Sequence, residues 1–258
     1  MLQNRLIVCY HIAMPEVDLN VKLLETSRDA VSLIYAACRQ CYSPKSAAEL
    51  FDEKDALPAK QAEFIRRVVA SGHESPLEHV KFTFAIEGVS RALTHQLVRH
   101  RIASFSQQSQ RYVKETNFDY IVPPFISADK ELKDEFLRIM GSIQESYNKL
   151  LEKFKSKGRV GERANEDVRF VLPQAAETKI VVTMNARELI HFFHQRCCAR
   201  AQWEIKRLAD KMLALCIKDL PEVFEEVGAK CVALGYCPEG EKFTCWKYPL
   251  KEKVLAKR

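Results

Sequence analysis

The sequence predicts a single domain of the α+β class, residues 1–258, in which helices cover a few strands. Residues 80–87 alternate apolar with polar side chains, and this period of two is typical of a half-buried strand. Residues 130–155 repeat their apolar side chains at helical spacing, which predicts a long amphipathic helix. Because 47% of the 258 residues are hydrophobic, the chain can fill one substantial core between two helical layers.

The first half of the chain predicts a strand followed by helices with clear breaks between them. Residues 5–13 are rich in β-branched and aromatic side chains, which indicates the first strand. Helical periodicity then predicts helices over about 20–42, 47–51, 59–71 and 91–100. Ser43-Pro44 interrupts the first of these helices and Gly72 ends the third, while Ser90 is the expected N-cap of the fourth.

The second half predicts a long helix, a transition region and a late helix. Pro123-Pro124 predicts an extended crossing that leads into the helix over 130–155. The buried stripe of that helix is expected to consist of Leu132, Phe136, Ile139, Met140, Ile143 and Tyr147. Two short segments are predicted to be buried or strand-like, 169–173 and 179–184. The pattern of the first segment is compatible with either a strand or the end of a helix. A helix that opens at Asn185 is expected to continue beyond Trp203.

Charge and hydropathy restrict the class of protein. The net charge of +6 favours anionic partners, and small phosphorylated ligands fit it as well as a nucleic acid does. Residues 1–15 are too short and too polar for a secretory signal, and no apolar run is long enough to cross a membrane. The sequence therefore predicts a soluble, cytoplasmic protein without a membrane partner.

The nine cysteines indicate reduced thiols, since their number is odd and their spacing is irregular. Cys38 and Cys41 form a C-x-x-C pattern within a helical run, which favours a buried helix face over a metal or redox site. Cys231, Cys237 and Cys245 are loosely spaced near the C-terminus and are weak support for zinc.

Residues 99–112 form the most distinctive stretch of the chain. They contain Arg99, Arg101 and Arg111 together with His100, serines and glutamines, and they contain no carboxylate. The planar fork of an arginine matches a phosphate, and neutral hydroxyls and amides add hydrogen bonds to it. The stretch therefore predicts an anion-binding site, with a solvated basic loop as the alternative.

A second cationic cluster is predicted on the late helix. Arg187 and His191 are four residues apart, as are Arg196 and Arg200, so each pair is expected to share a helix face. Glu188 completes a Glu-x-x-His-x-x-His pattern with His191 and His194, but no second copy or facing glutamates accompany it, which favours structural polar residues over a di-iron site.

Two further motif tests narrow the chemistry. The segment His73 to His79 does not have the spacing of a helical zinc motif, and Pro76 opposes that helix, so it is interpreted as a cap or as the lining of a cleft. The chain has no glycine-rich nucleotide loop and no nucleophile elbow. We therefore expect no metal site, and any nucleotide must be held by side chains.

The signature Arg99-His100-Arg101-x-x-Ser104-x-x-x-x-Ser109-x-Arg111-Tyr112 resembles that of the flavin-dependent thymidylate synthases, which methylate dUMP using FAD and methylenetetrahydrofolate. The resemblance extends to the turn at 72–79 and to the late helix, from Asn185-Ala186-Arg187 through Ala201-Gln202-Trp203-Glu204. It covers about 30–45 and 70–205, in order. It implies a central, mostly antiparallel sheet flanked by helical layers.

The resemblance also implies roles for individual residues. It places dUMP against Gln96, Arg99, Gln107, Ser109, Gln110, Arg111, Arg169 and Arg196. It places FAD against His73, Ser75, Arg99, His100, Arg101, Gln107, Asn185, Arg187 and His191. Arg196 matches the arginine that polarises or ionises the uracil ring, and it is therefore the expected catalytic residue. Ser109 is assigned to binding, because no base that would activate it is paired with it in the sequence.

The implied reaction begins with NADPH reducing tightly bound FAD. The folate then delivers its methylene carbon to the uracil ring, and a flavin hydride completes the methyl group. The resemblance further implies a homotetramer with sites between its subunits, and no nucleic-acid polymer as a partner.

Four positions depart from the family pattern. Ser106 and Gln107 stand where many members carry Asn and then Glu, and Arg200 occupies a position that can be His. Cys41 stands where a small hydroxyl residue can meet the flavin. The loss of a carboxylate at Gln107 makes the expected pocket more cationic without suggesting another reaction.

Two other classes of function remain open from the residues alone. Phe105 and Tyr112 are interleaved with the arginines, as in a module that binds RNA or DNA, and such a module would lose affinity steeply with salt. The polar turn at 73–79 also leaves a metal hydrolase open, and that enzyme would hold stoichiometric zinc or iron.

Overall fold

The computed structural model describes residues 16–53 and 58–256, and the strand predicted over 5–13 lies outside these residues. The described chain forms two compact units. One contains residues 16–18 and 108–178, and the other contains 19–107 and 179–256. That residues 1–258 act as one domain stays a prediction.

The second unit is built on a four-stranded sheet. Its strands are β1 (Asn20–Thr26), β2 (Lys81–Ser90), β3 (Ala103–Gln107) and β4 (Glu177–Asn185), in the order β1-β2-β4-β3. The pairs β1/β2 and β3/β4 are antiparallel. In the central pair, Ala186 N–H donates to Val80 O at 2.8 Å, and the hydroxyls of Thr83 and Thr183 lie 3.0 Å apart. The predicted α+β class with an antiparallel sheet is confirmed.

Helices precede, interrupt and follow these strands. The α-helices are α1 (Ala30–Gln40), α2 (Ala47–Asp52), α3 (Pro58–Ala70), α4 (Arg91–Leu97), α5 (Pro124–Ser127), α6 (Lys130–Ser156), α7 (Glu162–Val168), α8 (Ala186–Arg196), α9 (Trp203–Asp219), α10 (Pro221–Phe224), α11 (Lys230–Leu234) and α12 (Lys251–Leu255). Short 3-10 helices cover Ser75–His79, Arg169–Val171 and Glu241–Phe243. No helix among the described residues is both long and apolar enough to cross a bilayer.

The core of the second unit lies against one face of β2. Phe82, Phe84 and Ile86 are buried there, as the alternation of this strand predicts. The ring of Phe224 meets that of Phe82 edge to face at 5.4 Å and that of Phe193 at 6.0 Å. These aromatic contacts join the sheet to α8 and α10.

The helix predicted over 20–42 is wrong in its first third. Residues 20–26 form β1, in which Val21 lies opposite Ile86 and Leu23 lies opposite Phe84. The apolar residues of this segment also fit a strand, and hydrogen bonding to the edge of β2 stabilises that strand. Strand pairing therefore overrides the local helical pattern. Asp29, at φ 52°, then separates β1 from α1.

The late helix is also interrupted, which corrects the prediction that it continues beyond Trp203. α8 ends at Arg196, and α9 begins at Trp203. Gln202 caps α9, because its side-chain oxygen accepts hydrogen bonds from the N–H groups of Glu204 and Ile205. Arg200 therefore lies in the linker, where it pairs with Glu239 at 2.6 Å, and it does not share a helix face with Arg196.

The first unit is organised by α6, whose buried stripe differs from the predicted one. Leu132 and Ile139 are 43% and 40% exposed, whereas Gln144 is buried. The amide of Gln144 accepts from Phe118 N–H at 2.8 Å and donates to Glu115 O at 2.9 Å. A polar side chain is tolerated in this stripe because its hydrogen bonds are satisfied by the adjacent loop.

Smaller differences concern loops and short elements. The extended crossing predicted at Pro123-Pro124 is wrong in part, because Pro124 opens the helix α5. The piece over 169–173 is a 3-10 turn that continues α7, so a helix end is correct there and a strand is not. The strand β3, within the arginine-rich stretch, was not predicted; it forms by pairing with β4.

The described cysteines are free thiols. Cys38 is buried on α1, as predicted, and burial raises the pKa of its thiol to about 11. Cys41 is exposed beyond the end of that helix, so the C-x-x-C pattern does not lie on one buried face.

A buried carboxyl group connects the start of α9 to the start of α4. Glu204 accepts hydrogen bonds from the N–H of Ser90 at 2.7 Å and from its hydroxyl at 2.6 Å. The same hydroxyl caps α4, as predicted, by accepting from Leu93 N–H at 3.0 Å. Burial raises the pKa of Glu204, and the two hydrogen bonds oppose that shift.

Replacing Ser90 with alanine is expected to lower the free energy of unfolding by about 1 to 2 kcal/mol, because α4 loses its cap and Glu204 loses a donor. Urea unfolding of the purified variant measures this change. Ser142→Ala, which removes an exposed hydroxyl bonded to Arg138 O, is the matched control and should change the midpoint little. Equal midpoints for both variants would contradict the prediction.

Candidate active site

The turn after α4 separates a buried imidazole from two exposed guanidinium groups. Backbone hydrogen bonds from Arg99 N–H to Gln96 O at 3.3 Å and from His100 N–H to Leu97 O at 3.1 Å form this turn. His100 is buried, whereas the side chains of Arg99 and Arg101 are exposed. The turn therefore places one imidazole in the core and directs two guanidinium groups to solvent.

His100 contacts the last turn of α8. Arg196 Nε–H donates a hydrogen bond to His100 Nε2 at 3.1 Å, and His100 Nδ1 lies 3.3 Å from Glu188 Oε1 without the alignment of a hydrogen bond. The imidazole also packs edge to face on Phe192, with ring centroids 4.9 Å apart, and lies 5.9 Å from the ring of His191. The structure thus brings together Arg196 and two of the residues predicted to contact FAD.

Burial controls the charge of this cluster. It lowers the pKa of His100 to about 4, with the positive charges of Arg196 and His191 acting in the same direction. The imidazole is therefore neutral at physiological pH. Burial also raises the pKa of Glu188 and lowers that of Arg196. Arg196 remains the principal cation of the cluster, since a guanidinium does not lose its proton in a protein.

The first turn of α8 holds two further predicted residues. The side chain of Asn185 caps the helix by accepting from Glu188 N–H at 2.8 Å. Arg187 is held by Glu78 at 2.5 Å and lies 3.6 Å from Glu74, which fixes α8 to the turn that contains Ser75. His191 Nε2 is 2.8 Å from the amide nitrogen of Gln195.

Several predicted residues in this unit make few or no contacts. Within residues 16–53 and 58–256, the side chains of Arg99 and Arg101 form no hydrogen bond or ion pair, and the same holds for His73. Gln107 lies at the end of β3, where its amide nitrogen is 3.4 Å from Thr94 Oγ1. The exposed guanidinium groups keep their donors available for an anion.

The first unit holds four of the predicted substrate residues, whereas Gln96 lies on α4 in the second unit. Ser109 Oγ accepts from Arg111 N–H at 3.2 Å, and Asn165 Nδ2 donates to Arg111 O at 2.9 Å. Gln110 Nε2 is buried without a hydrogen-bond partner among the described residues. Arg169 Nε donates to Glu166 O at 3.3 Å. Arg111 and Arg169 are thus tied to the helix α7, whereas Ser109 bonds within the turn that contains Arg111.

Arg111 is neutralised by carboxylates that the sequence analysis did not single out. Its guanidinium pairs with Glu162, and its Nε lies 3.7 Å from Glu166 Oε2. No signal in the stretch 99–112 reveals these partners, because both lie on α7. Glu162 is 51 residues after Arg111 in the chain. An ion pair of this exposure constrains the arginine without contributing much to stability.

The departures from the family pattern have different structural settings. Arg200 stacks on Phe243, with its guanidinium carbon 4.5 Å from the ring centroid, in addition to its pair with Glu239. Cys41 is exposed. Among the described residues no group of histidine, cysteine or carboxylate side chains is arranged to hold a metal ion.

Comparisons with known proteins agree with this architecture. The fold matches the crystal structure of a UMP/dUMP methylase, PolB from Streptomyces cacaoi, bound with 5-Br dUMP, with a TM-score of 0.62 and 23% identity over 81% of this chain and 93% of that one. The fold is thus one on which a pyrimidine nucleotide methylase is built. A family model described as thymidylate synthase complementing protein matches residues 22–222.

Close relatives give the family. The chain is 55% identical over 244 residues to the flavin-dependent thymidylate synthase of Nitratidesulfovibrio vulgaris, and the match covers 93% of this chain and 100% of the relative. It is 47% identical over 242 residues to that of Clostridium tetani, across 91% of this chain and 96% of the relative. The chain belongs to the flavin-dependent thymidylate synthase family and is an enzyme of that kind.

Proposed function

We propose that the protein converts dUMP to dTMP, with methylenetetrahydrofolate as the carbon donor and FAD reduced by NADPH as the hydride source. The hydrogen bond between the buried His100 and the half-buried Arg196, beside Arg99 and Arg101, which have no side-chain partner among the described residues, is the observation that carries the proposal. It supplies a fixed cation for a polarised pyrimidine and free cations for the phosphates of the ligands.

The donor set of the second unit fits FAD. We assign FAD binding to His73, Ser75, Arg99, His100, Arg101, Gln107, Asn185, Arg187 and His191. Exposed guanidinium groups such as those of Arg99 and Arg101 suit a pyrophosphate, and the chain has no glycine-rich loop to hold one. When bound, FAD would accept a hydride from NADPH and return it to the methylene group.

The dUMP site is assigned to a set of arginines and amides. We assign dUMP binding to Gln96, Arg99, Gln107, Ser109, Gln110, Arg111, Arg169 and Arg196. A guanidinium can hold a phosphate by two parallel hydrogen bonds. The buried Gln110 Nε2, which has no partner in the described part of the chain, is a donor suited to a carbonyl or hydroxyl oxygen.

Arg196 is assigned the catalytic role. Partial burial removes some of the water around its guanidinium and lowers its pKa, so its charge acts more strongly on a nearby pyrimidine than that of a fully exposed arginine would. His100 accepts one of its donors and leaves the others for the ligand. The negative charge that develops on the uracil ring would thus face a cation that is already oriented.

We further propose a cytoplasmic homotetramer. Ile102, Tyr112, Phe125 and Phe170 are 67–83% exposed, and large exposed apolar side chains are frequent where subunits meet. The free thiols of the described cysteines fit a reducing compartment. Light scattering on the purified protein tests the subunit number.

Purified protein loaded with FAD is expected to be yellow and to lose its visible flavin band when NADPH is added without oxygen. The loss follows because reduction removes the conjugation of the oxidised flavin. Adding dUMP and methylenetetrahydrofolate should then restore the band as dTMP forms, and dTMP is measured by chromatography.

The controls separate the parts of this proposal. Omitting dUMP should leave the flavin reduced, and NADH in place of NADPH compares the two reductants. A protein that cannot be loaded with FAD, or a flavoprotein that is reduced but yields no dTMP with both substrates present, would contradict the proposed reaction.

A further inference from the structure

Glu188 is a buried acid that the proposed binding and catalytic sets do not include. It is 7% exposed and occupies the third position of α8, three residues after the cap residue Asn185. An acid at this position commonly turns back to the backbone of the cap residue, as Glu49 does in α2, where its carboxylate accepts from Ser46 N–H at 2.7 Å. Glu188 forms no such bond among the described residues, and its carboxyl group faces His100 instead.

The hydrogen bond from Arg196 shows which nitrogen of His100 is unprotonated in this structure. A guanidinium can only donate, so His100 Nε2 must offer a lone pair to Arg196 Nε–H at 3.1 Å. A neutral imidazole with an unprotonated Nε2 carries its proton on Nδ1. That N–H is the one 3.3 Å from Glu188 Oε1.

Glu188, His100 and Arg196 form a row of contacts that runs along α8 from its first turn to its last. Glu188, Phe192 and Arg196 lie on successive turns of this helix, and the imidazole of His100 spans the distance beside the ring of Phe192. His100 is 3% exposed, so bulk solvent does not reach its imidazole. A buried carboxyl group is costly unless it has a partner, and the partner within reach here is the imidazole N–H.

We propose that Glu188 is a positioning residue: its carboxyl group holds His100 in the tautomer protonated on Nδ1, so that Nε2 can accept from Arg196 and orient its guanidinium. This inference rests on the catalytic role proposed for Arg196. The inference concerns the tautomer of His100, which can be measured without measuring turnover.

Nuclear magnetic resonance of the FAD-loaded protein with 15N-labelled histidine tests the tautomer. His100 is assigned by the loss of its signals in His100→Gln. The wild type is expected to show His100 protonated on Nδ1 and not on Nε2 near neutral pH. In Glu188→Leu the preference should be lost, and kcat for dTMP should fall roughly 10-fold with little change in the KM for dUMP.

Two variants separate positioning from stability. Glu188→Gln keeps an oxygen acceptor of the same reach, so it should retain the tautomer and most of the activity. Glu204→Gln alters another buried carboxyl group, one bonded to Ser90 and not to His100, so it should lower the unfolding midpoint without changing the tautomer.

A proton on Nε2 of His100 in the wild type would overturn the inference even if Glu188→Leu does not fold. A Glu188→Leu variant with the wild-type tautomer and kcat would overturn it as well. Failure of the wild type to make dTMP would instead contradict the proposed reaction and leave the tautomer measurement valid.

Discussion

Replacing Arg196 with alanine is expected to leave FAD bound and to lower the rate of dTMP formation by about 100- to 1,000-fold. The guanidinium is assigned to the charge that develops on the uracil ring, which is greater in the transition state than in bound dUMP. Its loss should therefore reduce kcat more than it raises the KM for dUMP. Visible absorbance measures flavin retention, and single-turnover formation of dTMP measures the chemistry.

Arg200→Ala is the matched control for this variant. Arg200 is four residues further along and is held by Glu239 and the ring of Phe243, away from the hydrogen bond between His100 and Arg196. The control should keep near-wild-type turnover, because an exposed ion pair contributes little. Wild-type turnover from Arg196→Ala would refute its catalytic role, and loss of flavin from it would indicate a structural role.

Replacing Arg111 with alanine is expected to weaken dUMP binding by roughly 10- to 100-fold while kcat at saturating dUMP changes much less. A hydrogen bond to a charged group contributes about 1.5 to 3 kcal/mol, and the phosphate does not change its charge during methyl transfer. Binding of dUMP to the reduced or oxidised holoenzyme, measured by calorimetry, gives the Kd directly. The Kd of Arg111→Lys for dUMP should lie between those of the wild type and Arg111→Ala, because lysine keeps the positive charge and loses the planar fork of donors.

Arg138→Ala controls for the loss of an arginine that is paired on the surface. Arg138 pairs with Glu135 at 2.6 Å on the exposed side of α6, in the same unit as Arg111. Its replacement should leave the Kd for dUMP unchanged. An Arg111→Ala variant with the Kd of the control would show that Glu162 and Glu166 hold this arginine for structure and not for the nucleotide.

The elements that were predicted well are those whose pattern is local. The alternation in β2 and the cap signals of Ser46, Ser90 and Gln202 operate over a few residues, and the structure uses each of them. The predicted starts of α2 at residue 47 and of α4 at residue 91, with Ser90 as the cap of α4, agree with the structure, and β2 begins one residue later than predicted. The cap at Ser46 was not predicted. The cap at Gln202 was overlooked because the apolar spacing on either side of it continues without a visible break.

The errors arose where a distant partner decides the structure. Residues 20–26 became a strand because β2 pairs with them, 56 to 67 residues away in the chain. Gln144 occupies a buried position because the loop at 115–118 satisfies its amide. Neither partner can be inferred from the periodicity of the segment itself, since burial of a polar group depends on what faces it in space.

The sequence by itself determined the chemical groups available to this protein: arginines without adjacent carboxylates over 99–112, a second set from Arg187 to Arg196, and a signature that indicated its family. Only the tertiary structure decided the state of each group. Arg99 and Arg101 have no side-chain partner within 16–53 and 58–256, Arg111 is neutralised by Glu162, and His100 is buried between Glu188 and Arg196. The reason is that charge, protonation and hydrogen bonding depend on distance and burial in space, which residues far apart in the chain set together.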